Sequence, residues 1–221
     1  MRKIGLFGGT FNPIHLGHLR AAVEVRQGFG MDAIYLIPSA SPPHKTTENL
    51  APAQDRLAMV HRAIKGHAGL RVSDIEVKRS GPSYTVDTVC AFRRNLPSGV
   101  WLYLIMGIDA FQDIATWKDY KDLLHLAPVI VIDRPGVEPL LSEGRRAIES
   151  MLASSELEGY ECSADTGCYV HCEKQPIFVF NVTALDISAT RIRGLVRNGE
   201  PIDFLVTDSV KDYIVGKGLY A

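Results

Sequence analysis

The sequence lacks the features of membrane-spanning proteins and of proteins that coat nucleic acid. Its longest apolar run covers about residues 101–106, far short of the roughly 20 residues that span a bilayer. An excess of one charge is also missing, because 24 Lys and Arg residues face 25 Asp and Glu residues, a net charge of -1. Binding to nucleic acid or to an anionic membrane needs a broad basic surface, so we expect neither partner.

Signal-peptide features are also missing from the amino-terminal residues, where a short apolar stretch is broken by Gly8 and Gly9. Cysteine is scarce, with four in 221 residues. Few thiols and no signal peptide are typical of a cytoplasmic protein, which we therefore expect.

Three of the four cysteines lie close together, at Cys162, Cys168 and Cys172, with His171 beside the last. Three thiols and an imidazole could bind zinc, but the usual C-x2-C pairs are absent. We expect free thiols in a variable loop between Glu158 and Pro176, and no metal site.

Apolar runs and helix-like periodicities alternate along the chain, which has an ordinary globular composition of 46% hydrophobic and 22% charged residues. Strands are predicted at 3–7, 33–37, 72–77, 101–106, 129–132 and 177–182. Helices are predicted at 16–29, after Pro52, at 84–96 with Ser83 as its cap, at 120–126, at 143–157, from Ser188 or Thr190 to 197, and from Thr207 to about 216. This order favours an α/β fold with a mainly parallel sheet. We expect a single domain over 1–221, with a small carboxyl-terminal helical lobe at about 187–221.

The loop after the first predicted strand is the first place to look for a ligand site, because ligands bind at the carboxyl ends of parallel strands. It is neither a P-loop nor a G-x-G-x-x-G loop. Glycines there let a backbone approach a phosphate, and the helix start that follows favours anions. Its residues read Gly8-Gly9-Thr10-Phe11-Asn12-Pro13-Ile14-His15-Leu16-Gly17-His18.

Two histidines of this loop, His15 and His18, stand three residues apart, with Gly17 leaving room between them. A histidine is often only a hydrogen-bonded structural residue, and that interpretation stays open. A zinc protease would need H-E-x-x-H, which is absent. Histidines at a glycine-rich helix start suit hydrogen bonding to phosphate oxygens during transfer.

The segment Gly8 to His18 resembles the G-x-F-x-P-x-H-x-G-H signature of the nucleotidyltransferase superfamily. Residues 187–193, Ile-Ser-Ala-Thr-Arg-Ile-Arg, resemble its I-S-[ST]-[ST]-x-I-R motif, with Ala189 in place of a hydroxyl residue. The resemblance implies a Rossmann-like fold with helices on both faces of the sheet. It also implies His15, His18 and Arg193 as catalytic residues, and an ATP site formed by Gly8, Gly9, Thr10, Phe11, His15, Gly17, His18, Asp109, Ser188, Thr190 and Arg193.

The middle of the chain is similar to the bacterial nicotinate-nucleotide adenylyltransferases, through segments 42–45, 83–88, 107–110 with Trp117, and 134–136. This resemblance implies that Trp117 stacks on a nicotinate ring, Thr85 holds its carboxylate and Asp109 accepts from ribose hydroxyls. Lys45 and Arg134 would bring positive charge to the acceptor phosphate, and Gly107 would line the same site. Taken singly, Trp117 could be core packing, Lys45 a surface lysine and Asp109 a helix cap.

The resemblance implies transfer of the adenylyl group of ATP to nicotinate mononucleotide, with Mg²⁺ arriving on ATP and no protein metal site. The partners would be these two small molecules, and a homo-oligomer is possible. Two alternatives stay open: another adenylyl- or cytidylyltransferase, such as a pantetheine-phosphate adenylyltransferase, and a catalytically silent nucleotide-binding protein.

Overall fold

A computed structural model describes residues 1–41, 50–133, 143–152, 157–163 and 168–221. Its strands are β1 (Arg2–Gly9), β2 (Ala33–Pro38), β3 (Leu70–Val72), β4 (Val100–Gly107), β5 (Val129–Asp133), β6 (Glu161–Cys162), β7 (Tyr169–Val170) and β8 (Ile177–Asn181). Its α-helices are α1 (Leu16–Gly28), α2 (Ala53–Ala63), α3 (Ile75–Lys78), α4 (Thr85–Asn95), α5 (Ile108–Gln112), α6 (Tyr120–Leu126), α7 (Glu143–Leu152), α8 (Ala189–Arg197) and α9 (Asp208–Lys217). None of these helices is long and apolar enough to cross a membrane.

The strands form one sheet in the order β3-β2-β1-β4-β5-β8-β7-β6. Six neighbouring strands, from β3 to β8, are parallel, and only the short edge strands β7 and β6 are antiparallel. The prediction of a mainly parallel α/β sheet is confirmed. Strands β1 and β4 are neighbours although β2 and β3 lie between them in sequence, so the strand order reverses at this point. Such a reversal opens a crevice in which α/β proteins bind ligands.

Helices cover both faces of the sheet, as the resemblance implied. All five residues of β5 are buried, and a strand with no exposed side chain needs apolar cover on both sides. One buried cluster joins α1, α2, α8 and α9 to the sheet through Leu19, Met59, Ile192 and Val210, among others. The other cluster joins α4, α5, α6 and α7 through Val89, Phe111, Leu123 and Ile148, among others.

The strand predicted at 72–77 is wrong beyond its first residue. The chain leaves the sheet after Val72 and makes the short helix α3, where the amide of Lys78 donates to the carbonyl of Asp74 at 2.9 Å. The prediction relied on the apolar residues of this segment. It did not anticipate that the side chain of Glu76 would be buried, and this residue is only 7% exposed. The helix predicted at 143–157 is described as far as Leu152, and residues 153–156 lie outside the described ranges.

The predicted cap of α4 is also wrong in its details. The structure gives Tyr84 as the residue before the helix, with no side-chain cap. Ser83 instead accepts hydrogen bonds on its hydroxyl from the amides of Ala40, at 2.9 Å, and Ser41, at 3.3 Å. These bonds tie the segment that follows β2 to the start of α4.

The cysteine-bearing segment is not wholly a loop, because β6 and β7 lie within it and extend the sheet edge beyond β8. Cys162 and Cys172 are exposed and Cys168 is buried. The Nδ1 atom of His171 accepts hydrogen bonds from the amides of Glu173, at 2.9 Å, and Lys174, at 3.1 Å. That nitrogen therefore holds a turn. Across the described ranges, three or more potential metal ligands never gather in one place.

We expect protein purified without added metal to carry less than about half an equivalent of zinc, because the His171 lone pair at Nδ1 is already used within the turn. Elemental analysis of the purified protein measures this directly. A full equivalent of zinc, lost when Cys162 and Cys172 are both replaced by serine, would contradict the expectation.

Candidate active site

The carboxyl ends of the central parallel strands bring two predicted site segments to one edge of the sheet. β1 ends at Gly8 and Gly9, and β4 ends at Gly107, beside it in the sheet. The residue after β2, Ser39, donates its amide to the carbonyl of Gly9 at 3.0 Å. The loop after β1 thus lies at the point where the strand order reverses.

The glycines of this loop differ in what surrounds them. A side chain at Gly9 would lie 3.0 Å from the ring of Phe11, whereas one at Gly8 would meet no atom within 4 Å. Phe11 itself has a φ of 48°, a left-handed conformation that is uncommon for residues other than glycine. The buried Phe11 ring therefore occupies the space next to Gly9, while Gly8 leaves its own side open for a ligand.

His15 and His18 form a stacked pair at the start of α1. Their ring centroids are 3.7 Å apart with 30° between the planes, and the amide of His15 donates to Nδ1 of His18 at 3.3 Å. In a neutral His18 the proton then lies on Nε2, a nitrogen that can donate a hydrogen bond to an anion. His18 is half-buried and His15 is 3% exposed, so His18 offers a ligand the larger surface. Gly17, between them, is buried within α1.

The second predicted phosphate motif, residues 187–193, meets the first, Gly8 to His18, through Arg193. Its Nη1 donates to the carbonyl of Asn12 at 2.9 Å, across 181 residues of sequence, and its Nη2 donates to the hydroxyl of Thr190 at 3.2 Å. Ser188 precedes α8, and its hydroxyl accepts from the amide of Arg191 at 3.2 Å. The predicted cap at Ser188 is therefore confirmed.

The residues predicted to bind the acceptor surround the starts of α4 and α5. Thr85 begins α4 and is half-buried, and Asp109 lies exposed in the first turn of α5. Trp117 is half-buried and packs against the core below it. Its neighbour Lys118 lies 3.4 Å from Asp87 and 4.9 Å from the centre of the Tyr84 ring. The Trp117 segment therefore adjoins the Thr85 segment.

Two acceptor residues predicted from the sequence, Lys45 and Arg134, lie outside the described residues. Their positions are therefore not described, and their roles stay predictions. The rest of the predicted set falls into two groups. One contains the residues of α8 and of the segment Gly8 to His18, called the phosphate loop after its predicted role, and the Arg193 contact joins them. The other lies around α4 and α5.

A buried carboxylate, which sequence reasoning missed, holds the first turn of α4. The Thr88 hydroxyl donates to Glu76 at 2.7 Å, and Arg79 donates to that same hydroxyl at 3.1 Å and to the carbonyl of Tyr84 at 3.3 Å. Burial raises the pKa of Glu76, against the opposing effect of its hydrogen bond from Thr88. This network holds the backbone at the start of α4, where Thr85 lies.

A second missed residue, Arg56, lies fully buried beneath the phosphate loop. Its guanidinium donates to the carbonyls of Thr10 at 2.8 Å, Ala51 at 2.9 Å and Ala40 at 3.1 Å. Burial lowers the pKa of this guanidinium. The sequence did contain a signal, because the buried residues of α2 are Arg56, Met59, Val60 and Ala63, a helical spacing that puts the arginine in line with the apolar face.

Replacement of Arg56 with leucine is expected to lower the free energy of unfolding by about 3 kcal/mol or more, because three buried carbonyls lose their donor. Urea denaturation measures the change. The matched control is Arg62→Leu, on the exposed side of the same helix, for which we expect a change below about 1 kcal/mol. Equal losses in the two variants would contradict the role given to Arg56.

Comparison with known proteins gives a consistent result over nearly the whole chain. The cytidylyltransferase-like family model matches residues 6–195. A protein of Desulfatibacillum aliphaticivorans named "Probable nicotinate-nucleotide adenylyltransferase" is 44% identical over 224 residues, covering 99% of each chain. A Pseudomonas fluorescens protein of the same name is 40% identical over 219 residues, covering 99% of this chain and 97% of that protein.

A solved structure of Plasmodium falciparum nicotinic acid mononucleotide adenylyltransferase, complexed with NaAD, has a similar fold. The TM-score is 0.72, and the match covers 100% of this chain and 98% of the other, at 19% sequence identity. At that identity the similarity supports the fold, which is the Rossmann-like arrangement implied by the two motifs.

Proposed function

Because this chain belongs to the cytidylyltransferase-like family, among the nicotinate-nucleotide adenylyltransferases, we propose that it acts in NAD biosynthesis. It transfers the adenylyl group of ATP to nicotinate mononucleotide and releases deamido-NAD and pyrophosphate. The observation that carries the proposal is the bond from Arg193 to the carbonyl of Asn12 at 2.9 Å, which unites two phosphate motifs from opposite ends of the chain. A site with one motif alone could hold a nucleotide, but two facing motifs suit a triphosphate that is being cleaved.

The residues of the phosphate loop and α8 form the proposed ATP site. Gly8, Gly9, Thr10 and Phe11 would shape the backbone around the phosphates, and Gly17 would keep the helix start clear. His18 would donate from Nε2 to oxygens of the α-phosphate, while His15 supports it through the stacked ring. Arg193, with Ser188 and Thr190, would hold the phosphates that leave as pyrophosphate.

The residues around α4 and α5 form the proposed acceptor site. Trp117 provides an aromatic face for the nicotinate ring, and Thr85 and nearby backbone amides would hold its carboxylate. Asp109, exposed in the first turn of α5, would accept from ribose hydroxyls next to Gly107. Lys45 and Arg134 are proposed to neutralise the acceptor phosphate, on the strength of the sequence alone.

The proposed chemistry is a direct in-line transfer. An oxygen of the nicotinate mononucleotide phosphate bonds to the α-phosphorus of ATP, and the bond from that phosphorus to the α,β-bridging oxygen breaks. The electron pair leaves on pyrophosphate, whose added charge is met by Arg193. Positioning and charge neutralisation suffice for such a transfer, so no covalent nucleophile from the protein is needed.

ATP is a substrate of this family, and Mg²⁺ is proposed to arrive bound to it. Magnesium prefers phosphate oxygens and water to a cage of protein ligands. When bound, the ion would offset negative charge on the triphosphate.

We also propose that residues 1–221 make one domain that works in the cytoplasm. The carboxyl-terminal lobe at about 187–221 shares a buried cluster with the phosphate loop, in which Ile192 and Ile214 lie with Phe7 and Phe11. A separate domain would have a hydrophobic core of its own, so this shared cluster supports a single domain. The four cysteines, all in described ranges, form no disulfide, as is usual in the cytoplasm.

The test is pyrophosphate release from ATP with nicotinate mononucleotide, nicotinamide mononucleotide and phosphopantetheine offered in turn. We expect the highest kcat/KM with nicotinate mononucleotide. Faster reaction with phosphopantetheine, or with CTP in place of ATP, would assign the chain to another branch of the family. No release with any acceptor would indicate a silent nucleotide-binding protein.

A further inference from the structure

Asn12 connects the phosphate loop to three distant parts of the chain. Its side-chain oxygen accepts hydrogen bonds from the Tyr220 hydroxyl at 2.8 Å and from the amide of Ala51 at 3.0 Å. Its backbone carbonyl accepts from Arg193 at 2.9 Å. Asn12 is 8% exposed, so these partners, and not water, determine where it lies.

Tyr220 reaches this position from the carboxyl-terminal end of the chain. Helix α9 ends at Lys217, and Gly218 follows in the left-handed conformation with its amide donating to Val215 at 3.1 Å. Tyr220 also has a positive φ, 68°, which a residue with a bulky side chain rarely adopts. The backbone thus takes a costly conformation that directs the ring toward the phosphate loop.

The hydroxyl of Tyr220 lies near the two arginines that contact the loop. Burial raises the pKa of this hydroxyl, and the positive charges of Arg193 and Arg56 oppose the rise. Because the net direction is upward, the group stays protonated at ordinary pH and remains a donor to Asn12.

We propose that Tyr220 is a positioning residue for adenylyl transfer. Its hydroxyl fixes the Asn12 side chain, and Asn12 in turn fixes the loop backbone and the guanidinium of Arg193 against the triphosphate. The inference rests on the proposed adenylyl transfer and extends the site to the carboxyl terminus of the chain. It makes the segment after α9 part of the reaction geometry, beyond its contribution to the core.

The chain contains a matched control for this hydroxyl. Tyr213, on α9, donates to Asp55 of α2 at 2.6 Å, so it ties the same lobe to the body of the protein without touching the phosphate loop. Tyr220→Phe and Tyr213→Phe each remove one hydroxyl and one hydrogen bond. A merely structural role for both tyrosines predicts similar effects on activity.

We expect Tyr220→Phe to lower kcat/KM for ATP by about tenfold or more, with a higher KM for ATP and a lower kcat. The reason is that small misplacements of reacting groups lower the reaction rate strongly. The KM for nicotinate mononucleotide should stay within about twofold of the wild-type value. Tyr213→Phe should leave all three constants within about twofold. A smaller folded fraction would lower kcat alone, so the change in KM for ATP separates positioning from loss of protein.

A double-mutant cycle with Asn12→Ala completes the experiment, because the effect of Tyr220→Phe should vanish once Asn12 is gone. Tyr220→Phe kinetics equal to those of Tyr213→Phe would overturn the inference, as would full additivity in the cycle. If wild-type protein releases no pyrophosphate with any acceptor, the proposed function itself fails and the positioning role falls with it.

Discussion

Replacing His18 with alanine is expected to lower kcat at least about a hundredfold while the protein remains folded. The structure gives the reason, because Nδ1 of His18 accepts from the amide of His15, which places the proton of a neutral imidazole on Nε2, the donor proposed for a phosphate oxygen. Alanine removes that donor where negative charge develops. The measurement is steady-state pyrophosphate release at saturating ATP and nicotinate mononucleotide, with thermal unfolding as the check on folding.

The control for His18 is His61→Ala, at an exposed position near the end of α2. It removes an imidazole away from the phosphate loop, and turnover should stay within about twofold of wild type. Near-normal turnover in His18→Ala, in protein that unfolds at the wild-type temperature, would contradict the catalytic role of this histidine.

Replacing Arg193 with alanine is expected to lower kcat/KM for ATP about a hundredfold. The guanidinium contacts the carbonyl of Asn12 and the hydroxyl of Thr190, so its loss removes both a phosphate-binding charge and the link between the motifs. Arg193→Lys should restore only part of the activity, because an ammonium cannot replace the planar, forked guanidinium.

The control for Arg193 lies two residues earlier on the same helix. The guanidinium of Arg191 is exposed and lies 3.8 Å from the carboxylate of Asp186. Arg191→Ala removes the same charge from α8 and should leave kcat/KM for ATP within about threefold. Equal losses in the two alanine variants would indicate a general effect of charge and would contradict a specific role for Arg193.

The sequence predicts most of the architecture because its buried strands are strongly apolar. The runs at 101–106 and 129–132 correspond to β4 and β5, and the helix start at Ser188 is where the structure has it. The strand predicted beyond Val72 fails because the apolar residues Val72, Ile75 and Val77 suit a strand as well as a short helix that buries Glu76. Local pattern alone does not show which side chain turns inward.

The candidate site is predictable where its residues lie in contiguous motifs and not where they act from a distance. His15, His18 and Arg193 are visible because each stands in a recognisable segment. Tyr220 is not, because it stands in no recognisable segment and its partner Asn12 lies 208 residues away in sequence. Arg56 is an intermediate case, since its helical spacing with Met59 and Val60 could have indicated a charge on a buried face but was not recognised.

In the proposed mechanism, the two phosphate motifs form one site that transfers the adenylyl group directly to nicotinate mononucleotide. A radioactive label at the α-phosphorus of ATP follows this transfer. We expect the label to appear in deamido-NAD, in equal amount to unlabelled pyrophosphate, and none to stay on the protein. Label released as AMP, or label bound covalently to the protein, would contradict it.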